Sequence, residues 1–243
     1  MDEHSNCHMR YCIAFAVVLF FSLAVFAQDF LPDSVIYKRA LNQTISYNNS
    51  LAAKTSGLFT GGLYVRDYYN VKGHPFFETD SLQKGDVFYN GVLYRNVDLL
   101  YDLSHDNLVT KYADDANLVL VREKIAYFKI GTHLFVAGSD VLRKKFYEML
   151  YTGKVELLVQ RKKEMVPWSK TMEFTAAFSQ TNSYFIYKDS SYQKVNSKQE
   201  LMDVLKDKKE ELKNFISANK LDFRKNFETA LIRTAMYYDE VTK

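Results

Sequence analysis

The residues most able to do chemistry lie together in one short stretch, YDLSHDN, from residue 101 to residue 107. Asp102 could orient His105, and His105 could deprotonate Ser104 or a water molecule, as in a hydrolase. Members of a catalytic triad normally come from different elements, whereas Ser, Asp and Asn close turns by bonding their own backbone. The stretch therefore predicts a turn, and Asp102 and His105 are the catalytic candidates if the chain is an enzyme.

Motifs of the common enzyme and metal sites are absent from the sequence. It contains no HExxH, CxxC, G-x-S-x-G, P-loop or G-x-G-x-x-G pattern. His74, His105 and His133 stand far apart along the chain, so we predict no metal site and no cofactor. The acidic stretch ADDAN, residues 113 to 117, lacks the spacing and central Gly of an EF-hand and predicts a polar loop.

Aromatic side chains are the other candidates for a binding site. The chain has 18 Tyr and 18 Phe but one Trp. Tyrosine on a sheet can stack on sugar rings or grip a peptide, but it also packs across strands, and we expect packing for most of them. The ligand-binding candidates are Tyr94, Tyr101, Trp168 and Tyr184.

Basic residues occur in two RKK triplets, at 143–145 and 161–163. We interpret both triplets as charges that end strands and protect sheet edges. The formal net charge of +3 is mild compared with the concentrated basic surfaces of nucleic-acid-binding domains. The composition therefore predicts no nucleic-acid partner.

Residues 58–195 predict an antiparallel β region. Asn90-Gly91 is the strongest short hairpin signal, and Thr152-Gly153 marks a second hairpin. Regularly spaced short strands favour a sandwich or an open half-barrel. The strand after the first turn is expected to bury every second residue: Leu93, Arg95, Val97, Leu99, Tyr101 and Leu103.

The hydrophobic period becomes helical after Ser197, where SKQE predicts a capping box. Residues 196–243 predict two or three helices packed on the same domain, with a break near Asp207 and a last helix after Asn226. Residues 28–57 predict a helix or an extended segment. The expected fold class is therefore α+β, mainly antiparallel β followed by C-terminal helices.

The N-terminus predicts export. Residues 11–27 carry no charge and follow Arg10, and cleavage between Ala27 and Gln28 would make residues 1–27 a secretory signal peptide. The alternative, an uncleaved membrane span, falls short of the roughly 20 apolar residues that a bilayer requires. In that case, membrane contact would be through this segment. Both cysteines, Cys7 and Cys12, precede the cut, so the mature chain would have no disulfide.

Four stretches in a fixed order carry a resemblance to known proteins: GDVFYNGVLYRNVDLLYDLSHDNLV, KKFYEMLYTGKVELLVQRKK, NSYFIYKDSSYQKVNSKQELMDVLKDKKEELKNF and ANKLDFRKNFETALIRTAMYYDEV. The chain resembles a family of exported Bacteroidota proteins, of the flavobacterial and sphingobacterial type, with a Tyr/Gly-rich β region and a Lys-rich helical C-terminus. The match runs from about Leu58 to the C-terminus. The resemblance implies the periplasm or outer surface of a Gram-negative cell, and it assigns no catalytic residue.

Two Asp-Ser-apolar tripeptides look like the sites at which Bacteroidota O-glycosylate exported proteins, and they make Ser34 and Ser81 candidates for that modification. From all these features we expect an exported envelope binding or accessory protein with a hydrophobic, glycan or protein partner. Two alternatives stay open. One is a hydrolase with a convergent site that includes Asp102 and His105, and the other is a structural subunit of an envelope complex.

Overall fold

The computed structural model describes residues 57–113, 116–142, 144–169 and 173–242. The predicted signal peptide, the cleavage site at Ala27 and Gln28, the segment 28–56 and Ser34 lie outside the described residues. In the described ranges no helix is long and apolar enough to cross a bilayer.

The described residues form one twelve-stranded sheet, which is mainly antiparallel and open. The strands are β1 (Gly62–Leu63), β2 (Val71–Lys72), β3 (Gln83–Tyr89), β4 (Val92–Asp102), β5 (Asn107–Ala113), β6 (Ala116–Val119), β7 (Ile125–Ile130), β8 (His133–Ala137), β9 (Phe146–Thr152), β10 (Glu156–Pro167), β11 (Ala176–Lys188) and β12 (Ser191–Lys194). Short 3-10 turns occur at Arg122–Lys124 and Asp140–Leu142. The predicted antiparallel β region is therefore confirmed.

The strand order is β1-β6-β5-β4-β3-β7-β8-β9-β10-β11-β12, and β2 adds a short parallel pair to β11. Two meanders make up this order, because β3 to β6 follow one another and so do β7 to β12. Between them the chain crosses back, so that β7 pairs with β3 instead of β6. This one crossover places the turn after β4 and the start of β9 near each other.

The predicted hairpin at Asn90-Gly91 is confirmed. It joins β3 to β4, and the two turn residues have φ values of 49° and 82°. Glycine adopts such values without strain and asparagine tolerates them better than most residues, which is why this dipeptide specifies a tight hairpin. The Thr152-Gly153 hairpin is also confirmed, with Thr152 opposite Glu156.

The buried face of β4 changes phase at a β-bulge. The register between β3 and β4 shifts once, and Asn96 takes a φ of 56° there. Beyond the bulge Leu99 and Tyr101 are buried, as predicted. Before it, the prediction for Arg95 is wrong: Arg95 is exposed, and its neighbour Tyr94 faces the core. An inserted residue moves every earlier side chain to the other face.

Three helices follow the sheet: α1 (Lys198–Val204), α2 (Lys209–Ala218) and α3 (Phe227–Val241). The Ser197 hydroxyl accepts a hydrogen bond from the Glu200 N–H at 3.1 Å, as predicted. The returning bond differs, because the Glu200 carboxylate accepts from the N–H of Asn196 at 2.7 Å. A 3-10 turn at Lys206–Lys208 confirms the predicted break.

The two largest apolar clusters of the described residues hold the sheet and the helices together. One packs the helices on β10 and β11, where Leu157, Ile186 and Leu231 are fully buried. The other is built from aromatic rings of β4, β7, β8 and β9. Its ring centroids are 5.0 Å apart for Tyr101 and Phe135, 4.8 Å for Phe128 and Phe135, and 5.1 Å for Phe128 and Phe146.

Candidate functional site

Asp102 lies at the end of β4 and is fully buried. Its Oδ1 accepts from the backbone N–H groups of Ser104 at 2.8 Å and His105 at 3.1 Å. Its Oδ2 accepts from the Tyr64 hydroxyl at 3.0 Å and lies 3.0 Å from His105 Nδ1. A carboxylate offers about four lone-pair positions, so these four partners occupy it completely. Asp102 thus fixes the backbone of the turn that follows it.

His105 lies between two carboxylates. Its Nδ1 faces Asp102, and its Nε2 lies 3.3 Å from Asp67 Oδ2. The hydrogen bond to Asp102 raises the pKa of His105, and burial opposes the rise. An imidazolium donates from both ring nitrogens, which is the form that two carboxylates select. A histidine held this way has no free nitrogen to take a proton from Ser104.

The same geometry predicts how His105 contributes to stability as pH changes. The folded-state pKa is raised, so the stabilisation is fully present below the unfolded-state value of about 6.5 and is lost as pH rises through the folded-state pKa. His105→Gln should therefore cost more stability at about pH 5 than at about pH 9. The difference should stay under about 1 kcal/mol, since the side chain is 47% exposed.

Urea unfolding of both proteins at the two pH values measures this difference. A cost that is equal at both values, or larger at the higher one, would show that His105 is not held as a cation.

A pocket opens where β9 and β10 separate. Their paired register ends at Val159 and Glu148. Past that point β9 stays with β8, and β10 continues with β11. The turn between β4 and β5, residues 103–106, lies at this gap and bonds to both strands. Its Leu103 carbonyl accepts from Lys163 N–H at 3.3 Å, and its Asp106 accepts from Phe146 N–H at 3.4 Å.

This β9–β10 pocket has a volume of about 270 Å³. Carrying the β9–β10 register three residues further would place Lys162 opposite Lys145, and both lysines line the pocket. The main polar lining residues are Ser104, Asp106, Lys145, Gln160, Arg161 and Lys162. Three separate stretches of chain therefore build one polar pocket.

Asp106 anchors the turn and is 8% exposed. Its carboxylate accepts from the Tyr101 hydroxyl at 2.6 Å and is paired with the Arg122 guanidinium. Burial raises the pKa of Asp106, while the bonds from Tyr101 and Arg122 oppose the rise. The Lys145 Nζ lies further away, 3.8 Å from Asp106 Oδ2. Arg122 is therefore the main partner of this negative charge.

Arg161 lies beside the pocket and joins the sheet to the helical layer. Its Nε donates to Glu148 of β9, and its Nη2 donates to Glu228 of α3 at 3.0 Å. Glu148 is 4% exposed and lies 2.5 Å from His133 Nδ1. The Tyr184 hydroxyl donates to Glu228 at 3.1 Å. This buried network fixes the Arg161 side chain.

The predicted ligand-binding aromatic residues do not meet in one place. Tyr94 and Tyr101 belong to the aromatic core cluster, and Tyr184 packs with the helical layer. Trp168 is half-buried, with Lys72 Nζ 4.3 Å from its ring centroid. Ser81 is exposed, so its hydroxyl is accessible for the predicted O-glycosylation. Ligand binding by the four aromatic residues and modification of Ser81 stay predictions.

From the sequence alone, the two pocket lysines are predicted only as charges at strand ends and sheet edges. The signal that could have joined them is the Thr152-Gly153 hairpin, because antiparallel pairing brings the end of one RKK triplet opposite the other. The described residues contain no group of three or more His, Cys, Asp or Glu side chains that could hold a metal ion.

No protein-family model, curated protein or solved structure matches the chain. The resemblance to exported Bacteroidota proteins therefore stays a prediction, and the geometry of the β9–β10 pocket carries the functional argument.

Proposed function

We propose that the protein is an exported envelope binding protein that holds a small polar ligand in the β9–β10 pocket and does not act as a hydrolase. One observation carries this proposal: the pocket gathers cationic and neutral hydrogen-bonding side chains from three stretches of chain. The nearby Asp102–His105 pair, by contrast, has its bonding positions filled by structural partners. Convergent polar groups in a concave site are typical of ligand recognition.

The pocket volume limits the ligand. Ligand pockets in proteins usually measure about 300–1,000 Å³, so about 270 Å³ suits one small molecule or the terminal unit of a larger one. Six of the eight lining residues bring charged or hydrogen-bonding side chains, beside Leu103 and Tyr147, and this mixture favours a hydroxylated or charged ligand over a lipid tail. Among the partners expected from the sequence, a glycan unit fits better than a hydrophobic molecule.

We also propose that the sheet curves into an open half-barrel. In the strand order, β3 and β7 stand between β4 and β8. Neighbouring strands are about 4.8 Å apart, so these two strands would lie about 14 Å apart in a flat sheet. The rings of Tyr101 on β4 and Phe135 on β8 are nevertheless 5.0 Å apart. Curvature of the sheet brings them together.

A second candidate function, an accessory subunit with a protein partner, has support from the segment 63–69, which runs from the end of β1 toward β2. Leu63 is 68% exposed, Val65 75% and Tyr69 83%. Apolar side chains on a surface segment are typical of interaction sites when they form a patch.

Native mass spectrometry of the full chain, expressed with its own N-terminus in a Gram-negative host, tests the proposal. The expected species begins at Gln28 and carries a small molecule. A retained protein instead of a small molecule would favour the accessory subunit. Turnover in a panel of hydrolase substrates that His105→Ala abolishes would overturn the binding proposal.

A further inference from the structure

We infer that the β9–β10 pocket binds a small hydroxylated anion, such as a sugar acid, with the anionic group between Lys145 and Lys162. The inference rests on the proposed binding function and names the ligand class for the same pocket. Lys145 is the last residue of one RKK triplet and Lys162 the middle residue of the other, seventeen positions further on, so the fold unites charges that the sequence separates.

The sign of the ligand follows from the charges that line the pocket. Asp106 is the acidic lining residue, and the Arg122 guanidinium neutralises it. Arg161 pairs with two carboxylates, those of Glu148 and Glu228, which hold its side chain in place. Counted over the lining residues alone, three cations, Lys145, Arg161 and Lys162, stand against the one carboxylate of Asp106, and this excess of positive charge favours an anion.

Both lysines are available to a ligand. Lys145 Nζ is 3.8 Å from Asp106 Oδ2, at the outer limit of an ion pair, and its side chain is 45% exposed. Lys162 pairs with Glu164 at 2.5 Å, but these side chains are 51% and 55% exposed. Exposed ion pairs are weak because water screens them, so an anion between the two ammonium groups competes with them readily.

The neutral lining supplies the second part of the ligand chemistry. Ser104 brings a hydroxyl and Gln160 a side-chain amide, and both groups donate and accept hydrogen bonds. A ligand with hydroxyl groups beside its anionic group matches this set. Inorganic phosphate or sulfate would bind the lysines, but the Ser104 hydroxyl and the Gln160 amide would stay hydrogen-bonded to water.

Isothermal titration calorimetry at low ionic strength tests the inference with D-glucuronate, methyl β-D-glucuronide, D-glucose and inorganic phosphate. Glucuronate should bind, glucose should not, and phosphate should bind more weakly than glucuronate. Lys145→Met and Lys162→Met should each raise the dissociation constant for glucuronate about tenfold, the loss expected for one hydrogen bond to a charged group. Added salt should also weaken binding.

Lys194→Met is the matched control, because Lys194 is an exposed strand lysine that does not line the pocket. This control should bind glucuronate like the parent protein. Tighter binding of the methyl glycoside than of free glucuronate would identify the terminal unit of a glycan as the source, and the reverse would identify a free acid.

Equal affinity for glucose and glucuronate would overturn the inference, as would glucuronate binding that neither lysine variant weakens. A neutral molecule retained in native mass spectrometry, with no anion binding in calorimetry, would overturn the ligand class and leave the binding function standing. Hydrolase turnover that depends on His105 would overturn the binding function itself.

Discussion

Arg161→Met is expected to lower the free energy of unfolding by about 3–5 kcal/mol. The Arg161 side chain is 10% exposed and that of Glu148 is 5% exposed. Burial lowers the pKa of Arg161, but hydrogen bonds from its guanidinium to Glu228 and Glu148 outweigh this and raise it. Methionine keeps an unbranched apolar stem at this position and removes the charged guanidinium. Glu148 would then be a buried carboxylate with the His133 ring as its remaining side-chain partner.

Urea unfolding of the purified variants measures this cost. Lys162→Met is the control, because it removes one positive charge from the next residue, where the side chain is 51% exposed, and should change stability by less than about 0.5 kcal/mol. The double variant Glu148→Gln with Arg161→Met should be more stable than Arg161→Met alone, since no unpaired charge is left buried. A cost below about 1 kcal/mol for Arg161→Met would contradict the network described.

The β-sheet could be predicted from local signals, because its hairpins depend on two or three residues. Asn90-Gly91 and Thr152-Gly153 both lie where the sequence predicts turns. Which side chains of β4 are buried could not be predicted along the whole strand. The bulge at Asn96 depends on how β4 pairs with β3 and on the bond from its N–H to Asp86 at 3.0 Å, which no periodicity encodes.

The extent of the other strands depends on how they pair with their neighbours in the sheet. β11 is a single strand of thirteen residues that reaches from Ala176 to Lys188, whereas the sequence predicts short strands in this region. The polar residues near its middle, 179–183, weaken the apolar alternation, yet continuous pairing with β10 keeps them extended. Polar residues in the middle of an exposed strand pair are compatible with a β-strand because both faces of the pair contact solvent.

The candidate site shows the same division between local and distant information. That the stretch around Ser104 is a turn follows from residue types alone. Its second role, as one wall of the pocket, follows from the crossover that brings β7 beside β3 and from the separation of β9 and β10. Glu228, which holds Arg161, comes from a helix 67 residues further along the chain. Such a partner has no local signature in the sequence.

Phe128→Ala is expected to cost about 3–5 kcal/mol, the range for removing a fully buried phenylalanine ring. Phe128 is completely buried, with its ring stacked on Phe135 at 4.8 Å and edge-on to Tyr101 and Phe146 at 5.1 Å. Those three rings come from three other strands, so the remaining cavity cannot close by movement of one side chain. The lost contacts add to the lost burial of the ring itself.

Phe128→Leu is the matched control and should cost clearly less, because it keeps an apolar side chain in the centre of the cluster. Chemical unfolding of both variants gives the two free energies, and circular dichroism in the aromatic region reports whether the ring cluster stays ordered. Phe128 does not line the β9–β10 pocket, and leucine keeps the cluster filled, so Phe128→Leu should bind glucuronate as the parent does. A destabilisation by Phe128→Ala of less than about 1 kcal/mol would mean that the rings of β4, β7, β8 and β9 do not share one core, and the proposed curvature of the sheet would lose its support.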